Sequence, residues 1–111
     1  MSLSSEIRQE INRLTELIRQ DPAYLQFRET RQILEEDPAL AKQTDDYREK
    51  YFALLEGGNE DGNLYYRQKD FKEENSELWD HREVRKFLKA EASYARLIQE
   101  VTAELMQQLG E

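Results

Sequence analysis

The sequence predicts an all-α fold: a helical bundle of about five helices that includes a long C-terminal helix. Apolar residues recur at intervals of three and four, as on one face of a helix, and no segment shows the alternation of a half-buried strand. Asp-Pro pairs at 21–22 and 37–38 are typical helix starts, because proline fits the first helical position without losing a hydrogen bond. We therefore expect one helical domain over residues 4–109, with roughly three-quarters of its residues in helix against a base rate of about a third.

The first three helices follow from their starting residues. Ser4 or Ser5 caps a helix that runs to about Arg19, and Asp21 and Asp37 cap the second and third helices. Each helix carries apolar side chains at helical spacing, which places them on one face of that helix, and those of the second helix are expected to point inward. The residues expected on these faces are Ile7, Ile11, Leu14, Ile18, Tyr24, Phe27, Leu34, Leu40, Tyr47, Tyr51, Leu54 and Leu55.

A glycine-rich loop separates these helices from a fourth. Three glycines fall within residues 57–62, and such a run is costly to hold in a helix. Residues 57–63 are therefore predicted to form a loop. Leu64, Phe71 and Leu78 then mark a fourth helix, which is more polar than the others.

The last predicted helix is the longest feature of the chain. It begins at Asp80, which forms an acidic variant of a capping box with Glu83, and it continues to Leu109. At 1.5 Å per residue this helix is ~45 Å long. A compact monomer of this length has a radius of gyration of only ~13 Å. Part of the helix's apolar face must therefore extend beyond one globule or meet another chain.

This overhang predicts a homo-oligomer, at least a dimer, formed through the first and last helices. The composition points the same way, because 38% of residues are hydrophobic and 36% are charged, so the core of a single chain is thin. The residues expected in the oligomer interface are Ile98, Val101, Leu105 and Leu109. An aspartate at position 98 or 105 would bury an unpaired charge, at a cost of several kcal/mol.

Charge and composition exclude several classes of protein. The net charge is −8, and residues 1–56 and 57–111 each carry 12 acidic and 8 basic residues. The even split argues against a basic domain or an acidic tail, and the negative sign disfavours general affinity for nucleic acid or anionic lipid. The absence of cysteine excludes disulfides and thiolate metal sites within this chain. Uncharged apolar runs are too short to span a membrane. No secretory signal pattern is present at the start, so the expected location is the cytoplasm.

A row of cations in the first half of the last helix is the candidate partner-binding surface. This basic stripe consists of Arg82, Arg85, Lys86, Lys89 and Arg96. Their spacing places them on one helix face, and the helix macrodipole disfavours cations in the first turn. In an acidic chain this arrangement favours a site for an acidic protein partner. The alternative interpretation is a solvated face, partly paired with Glu83 and neighbouring carboxylates.

No set of residues assembles an enzyme site. His81, the only histidine, is expected at the surface, and Leu78 stands where a di-iron motif needs glutamate. The loop resembles a calcium loop only in composition, because Gly57 would occupy its first ligand position. Carboxylate pairs such as Glu6 and Glu10 are common on solvated helix faces. We predict no enzymatic activity, no cofactor and no metal.

The helix starts and the last helix together follow a recognisable pattern. It combines the two Asp-Pro starts, the Tyr47-Arg48 segment and a run of packing positions in the last helix. Those positions are Val84, Phe87, Leu88, Ala90, Glu91, Leu97, Ile98 and Val101. Over roughly residues 5–109 the chain resembles the YlbF/YmcA family of small helical bacterial proteins. The resemblance implies an all-α fold that oligomerises and a cytoplasmic regulatory role.

The resemblance also implies a biological setting. Members of this family are linked to competence, sporulation and biofilm control, and some join a complex that modulates the endoribonuclease RNase Y. Those members carry a cysteine-bearing C-terminal tail implicated in iron–sulfur binding, whereas this sequence contains no cysteine. The main hypothesis is a non-enzymatic adaptor that acts through protein–protein contacts. The alternative is an RNA-associated binding module that uses the basic stripe, although the negative net charge makes nucleic acid the less expected partner.

Overall fold

The fold is all-α, as predicted. The computed structural model describes residues 2–110, and within that range 83% of residues are helical and none lies in a strand. The helices are α1 (Ser5–Arg19), α2 (Pro22–Glu35), α3 (Pro38–Glu56), α4 (Leu64–Glu74), α5 (Ser76–Trp79) and α6 (Arg82–Gln108). The long C-terminal helix is confirmed, and the number of helices is six instead of about five.

The starts of the first three helices are confirmed in atomic detail. At each start a side-chain oxygen accepts a hydrogen bond from a backbone N–H two or three residues further on, which satisfies a donor that the helix leaves unpaired. The pairs are Ser4–Ile7 at 3.2 Å, Asp21–Ala23 at 2.9 Å and Asp37–Leu40 at 3.1 Å. Because these bonds are local, a few residues of sequence suffice to predict them.

The predicted fourth helix is broken at Asn75, which accounts for the sixth helix. The Asn75 side-chain Nδ2 donates to the carbonyl of Phe71 at 2.8 Å. Its backbone φ of −108° and ψ of 22° depart from helical values. The asparagine amide thus competes with the backbone for a helical carbonyl, and α4 ends one residue before it.

The predicted start of the last helix at Asp80 is wrong by two residues. Asp80 closes α5 and has φ −71° and ψ −19°, which are helical values, whereas a capping residue needs extended backbone. Its N–H donates to the carbonyl of Glu77 at 3.2 Å. The capping box with Glu83 therefore does not form, and the Glu83 carboxylate lies 3.5 Å from Nδ1 of His81.

Contacts divide the described chain into two compact units. The second unit is Arg31–Leu88, and the first combines residues 2–30 with 89–110. Helices α2 and α6 each contribute residues to both. The two units differ in how much apolar surface they bury.

The Arg31–Leu88 unit holds most of the buried side chains. They are Leu34, Leu40, Ala41, Thr44, Tyr47, Val84 and Phe87. Phe87 and Leu34 are the largest that are fully buried, and complete burial of such a side chain contributes roughly 1.5–3 kcal/mol. Leu55 is exposed, while its neighbour Leu54 is half-buried. Adjacent residues point about 100° apart on a helix, so α3 can turn only one of them inward.

Tyr47 is the centre of an aromatic cluster in this unit. Its ring stacks on Phe71 at 5.0 Å between centroids and on Tyr51 at 6.1 Å, and the Trp79 ring meets it edge-on at 5.8 Å. Both arrangements are favourable for aromatic pairs. Burial raises the pKa of the Tyr47 hydroxyl above its ordinary value. The cluster joins α3, α4 and α5 through side chains that are far apart in sequence.

Candidate protein-interaction surfaces

The basic stripe lies on the outer side of α6. All five of its cations are exposed, and at 3.6 residues per turn they fall within an arc of about 100°. Val84, Phe87 and Ala90 are buried on the opposite side of the same helix. The structure therefore places Arg82, Arg85, Lys86, Lys89 and Arg96 on one exposed helix face, as the spacing predicts.

The charges of the basic stripe are not neutralised by the rest of the described chain. Arg82, Lys86, Lys89 and Arg96 form no ion pair among residues 2–110. Glu83, the expected pairing partner, instead lies beside the imidazole of the histidine that precedes α6. A cationic face with no carboxylate within it attracts acidic ligands more strongly than a paired one.

Arg85 differs from the other cations of the stripe because it also has a structural role. Its Nη1 donates a hydrogen bond to the backbone carbonyl of Trp79 at 2.6 Å. That carbonyl belongs to the last residue of α5 and would otherwise lack a helical partner. Replacing Arg85 would therefore change the α5–α6 junction as well as the charge of the stripe.

A second surface is apolar and belongs to the first unit. Among the described residues of this unit, only Thr30 and Ala90 are buried. Its exposed large apolar side chains are Leu3, Ile7, Ile11, Leu14, Leu17, Leu25, Ile98, Leu105, Met106 and Leu109. We call these residues, together with Ile18 and Val101, the apolar face. The apolar residues of α1 lie along one side of that helix, and Ile98, Leu105 and Leu109 lie along one side of α6 and its C-terminal end. Contiguous exposed apolar patches commonly mark interfaces.

The predicted interface residues lie on this apolar face. Ile98, Leu105 and Leu109 are 38%, 56% and 68% exposed, and Val101 is half-buried. In α1 the apolar residues repeat at intervals of four, three and four from Ile7, and in α6 the same repeat runs from Tyr94 to Leu105. This is the seven-residue repeat with which helices pack against other helices.

An aromatic contact in the first unit joins α2 and α6. The Tyr94 ring of α6 stacks on Phe27 of α2 at 5.0 Å and meets Tyr24 edge-on at 5.6 Å. Past Tyr94, α6 continues for fourteen more residues whose large apolar side chains are exposed or half-buried. The exposed apolar side chains of α6 are thus located in its C-terminal half.

A polar cluster in the second unit was not predicted from the sequence. Asp45 accepts hydrogen bonds from Arg31 at 2.8 and 3.0 Å and from Arg48 at 2.9 Å. The two guanidinium groups lie 5.4 and 5.2 Å from the ring centre of buried Phe87, within cation–π range. Arg31, through its hydrogen bonds, holds the pKa of Asp45 below its ordinary value. We call these four residues the Asp45 cluster, and its role is to hold charges over the core.

The end of the α3–α4 hairpin carries a further group of exposed apolar side chains. They are Phe52, Leu55, Tyr65 and Tyr66. The two tyrosine rings pack edge-on at 5.4 Å. Both tyrosine side chains are exposed, Tyr65 by 68% and Tyr66 by 63%.

The loop before α4 is held together by its own polar groups. Arg67 donates to the Asp61 carboxylate at 2.7 and 2.9 Å and to the carbonyl of Gly58 at 2.7 Å. Gly58 and Gly62 have φ of 70° and 73°, which other residues rarely adopt. An open cleft of about 410 Å³ beside the loop has Arg67 in its wall, but this guanidinium is already engaged by the loop. The hydrogen bonds of Arg67 stabilise the turn, and these groups do not form a catalytic site.

His81 lies at the surface, as expected. Among residues 2–110, no group of three or more histidine or carboxylate side chains is arranged to hold a metal ion. In the same range, no helix combines the length and apolar character needed to cross a membrane. The basic stripe and the apolar face are the candidate interaction surfaces of the described chain.

Comparison with known proteins identifies a family. The family model described as "Control of competence regulator ComK, YlbF/YmcA" matches residues 7–110 of this chain. No curated protein and no solved structure gave a significant match. The matched range includes both the basic stripe and nearly all of the apolar face.

Proposed function

This chain belongs to the YlbF/YmcA family, and we propose that it is a non-enzymatic cytoplasmic regulator that acts through protein–protein contacts. It would work as a homo-oligomer, at least a dimer, and present a partner-binding surface outside the oligomer interface. The family description, control of the competence regulator ComK, supports a regulatory role. We extend this to the wider roles of such regulators in sporulation, biofilm formation and RNase Y-dependent RNA processing.

The observation that supports the oligomer is the apolar face of the first unit. Among the described residues of this unit only two are buried, while ten large apolar side chains are exposed. Packing α1 and the second half of α6 against the same helices of another copy would remove these side chains from water. Each large side chain buried in this way contributes roughly 1.5–3 kcal/mol.

Replacing Leu105 with aspartate tests the proposal. In a single chain Leu105 is 56% exposed, so an aspartate there is tolerated. In an interface the same aspartate is a buried unpaired charge and disfavours association by several kcal/mol. Multi-angle light scattering should give at least twice the mass of one chain for the wild type and a lower mass for Leu105→Asp.

The matched control is Gln107→Asp. Gln107 lies on the same turn of α6, about 160° away from Leu105 around the helix, and is exposed. The Gln107→Asp variant adds the same charge at the same end of the helix as Leu105→Asp, so the two variants interact equally with the helix macrodipole. Gln107→Asp should keep the wild-type mass. A wild type that is monomeric at micromolar concentration would refute the oligomer.

A second candidate function, an RNA-associated binding module, rests on the basic stripe. Five exposed cations could contact phosphates, and the affinity for RNA would then fall steeply with salt. The net charge of −8 opposes this function, because a polyanion is repelled by most of the surface. The salt dependence of RNA binding distinguishes the two candidates.

A further inference from the structure

We propose that the basic stripe is a docking surface for one acidic α-helix of a partner protein, about four turns long. The inference rests on the proposed function, since it names the chemistry of the partner that the regulator would contact. It uses the outer side of α6, which is separate from the apolar face on the same helix.

The length of the basic stripe limits what can bind to it. From Arg82 to Arg96 the helix rises ~21 Å, which equals about four helical turns. Immediately beyond Arg96, on the same face, lie Glu100 and Glu104. An acidic segment longer than four turns would run onto these carboxylates and be repelled. The surface therefore fits a short acidic ligand.

The sizes of the side chains along the basic stripe suit a helical partner. Ala92 and Ser93 are exposed and lie between Lys89 and Arg96 on the same face. Their side chains are shorter than the cations around them, and these longer cations can reach carboxylates at i, i+4 and i+7 of a helix laid along the stripe. Packed helices approach to roughly 8–10 Å, a distance that small residues at the crossing point permit.

A protein is favoured over a nucleic acid by the charge of the whole chain. The sequence carries eight more acidic than basic residues, and a phosphate backbone that leaves the stripe toward the C-terminal end of α6 meets Glu100 and Glu104. A folded partner can confine its acidic residues to one helix face and leave the rest neutral or basic. Such complementary charges increase the rate of encounter and select the partner, as a regulatory contact requires.

The test measures the binding of defined probes to the full-length protein by fluorescence anisotropy at about 50 mM salt. The first probe is a labelled alanine-based helical peptide of about 15 residues, or four turns, with its glutamates on one face. The second is an isomer of the same composition with the glutamates distributed around the helix. The third is a single-stranded RNA of similar length. We expect the one-face peptide to bind most tightly.

The variants separate the stripe from general charge effects. Lys86→Glu with Lys89→Glu reverses two stripe cations that have no ion pair in the described chain, and it avoids Arg85 with its structural hydrogen bond. Lys42→Glu with Lys50→Glu makes the same change in net charge on exposed positions of α3. The stripe pair should weaken peptide binding at least about tenfold and the control pair less than about threefold. If charge reversal disturbs folding, the double variant Lys86→Ala with Lys89→Ala replaces the glutamate pair in the same binding measurement.

Three results would overturn the proposal. They are an equal loss of peptide affinity in both variant pairs, equal affinity for the two peptide isomers, or tighter binding of RNA than of the one-face peptide. Light scattering on the same samples keeps the two proposals distinguishable. A monomeric wild type that still binds the one-face peptide refutes only the oligomer, whereas an oligomer that does not discriminate between the probes refutes only this docking surface.

Discussion

Among single residues, Asp45 has the most specific role in the described structure. It accepts hydrogen bonds from two arginines, and both arginines lie over the same buried phenyl ring. Its carboxylate reduces the repulsion between these two cations next to an apolar core, and Glu35 also pairs with Arg31 at 2.8 Å. The Asp45 side chain is still 42% exposed, so solvent screening reduces the contribution of the ion pairs.

We expect Asp45→Asn to reduce the free energy of unfolding by about 1–2 kcal/mol at pH 7, the range for charge-assisted hydrogen bonds after allowing for exposure. Urea denaturation measures the change. The control is Asp46→Asn, since Asp46 is the adjacent carboxylate and is exposed with no ion pair among the described residues. If the two variants lose equal stability, the cluster has no special role.

The Asp45 cluster also predicts a pH dependence. The hydrogen bonds from Arg31 lower the pKa of Asp45 in the folded state below its unfolded value. A group shifted in this direction stabilises the fold fully above the unfolded value of about 4, and this contribution is lost as the pH falls through the folded value. The stability difference between wild type and Asp45→Asn should therefore shrink as the pH is lowered from 7 to about 3. A constant difference would show that the carboxylate charge is not its source.

At the level of elements, capping residues decide where the helices begin. Asp37 accepts a hydrogen bond from the N–H of Leu40 at 3.1 Å, and Pro38 occupies the first position of α3. Asn63 occupies the equivalent place before α4 but makes no capping hydrogen bond through its side chain. The two helices therefore form a natural comparison within one chain.

Asp37→Ala should reduce the free energy of unfolding by about 1 kcal/mol, the usual effect of removing a capping side chain. Asn63→Ala should change it by less than about half as much, because no capping hydrogen bond is lost. Urea denaturation followed by circular dichroism measures both variants. Equal effects would mean that backbone conformation, and not the side-chain hydrogen bond, limits stability at these positions.

At the level of the whole molecule, the apolar face should couple stability to association. If another copy covers this face, mass action makes the folded state more stable as the protein concentration rises. The midpoint of thermal unfolding should therefore increase over a hundredfold range of concentration, whereas a monomer would show a constant midpoint. The increase should be lost in Leu105→Asp and retained in Gln107→Asp, as measured by circular dichroism.

The sequence alone was enough to predict features that depend on residues close together in the chain. Ser4, Asp21 and Asp37 each satisfy a backbone donor within three residues, so the helix starts are visible in the sequence. The same is true of the basic stripe, because helical periodicity by itself places its members on one face. The two errors in the helical elements, at Asn75 and Asp80, arose where α5, a helix of four residues, was not expected.

Only the tertiary structure decided which apolar and charged groups are covered. Arg31 and Asp45 are fourteen residues apart on different helices, so no short-range pattern predicts their pairing over Phe87. Helix α1 is more strongly amphipathic in sequence than α3, yet α3 contributes Leu40 and Tyr47 to the core while α1 contributes no buried residue. An amphipathic pattern shows that a helix has an apolar face. The residues that bury this face come from other elements, so its burial is a property of the assembled chain.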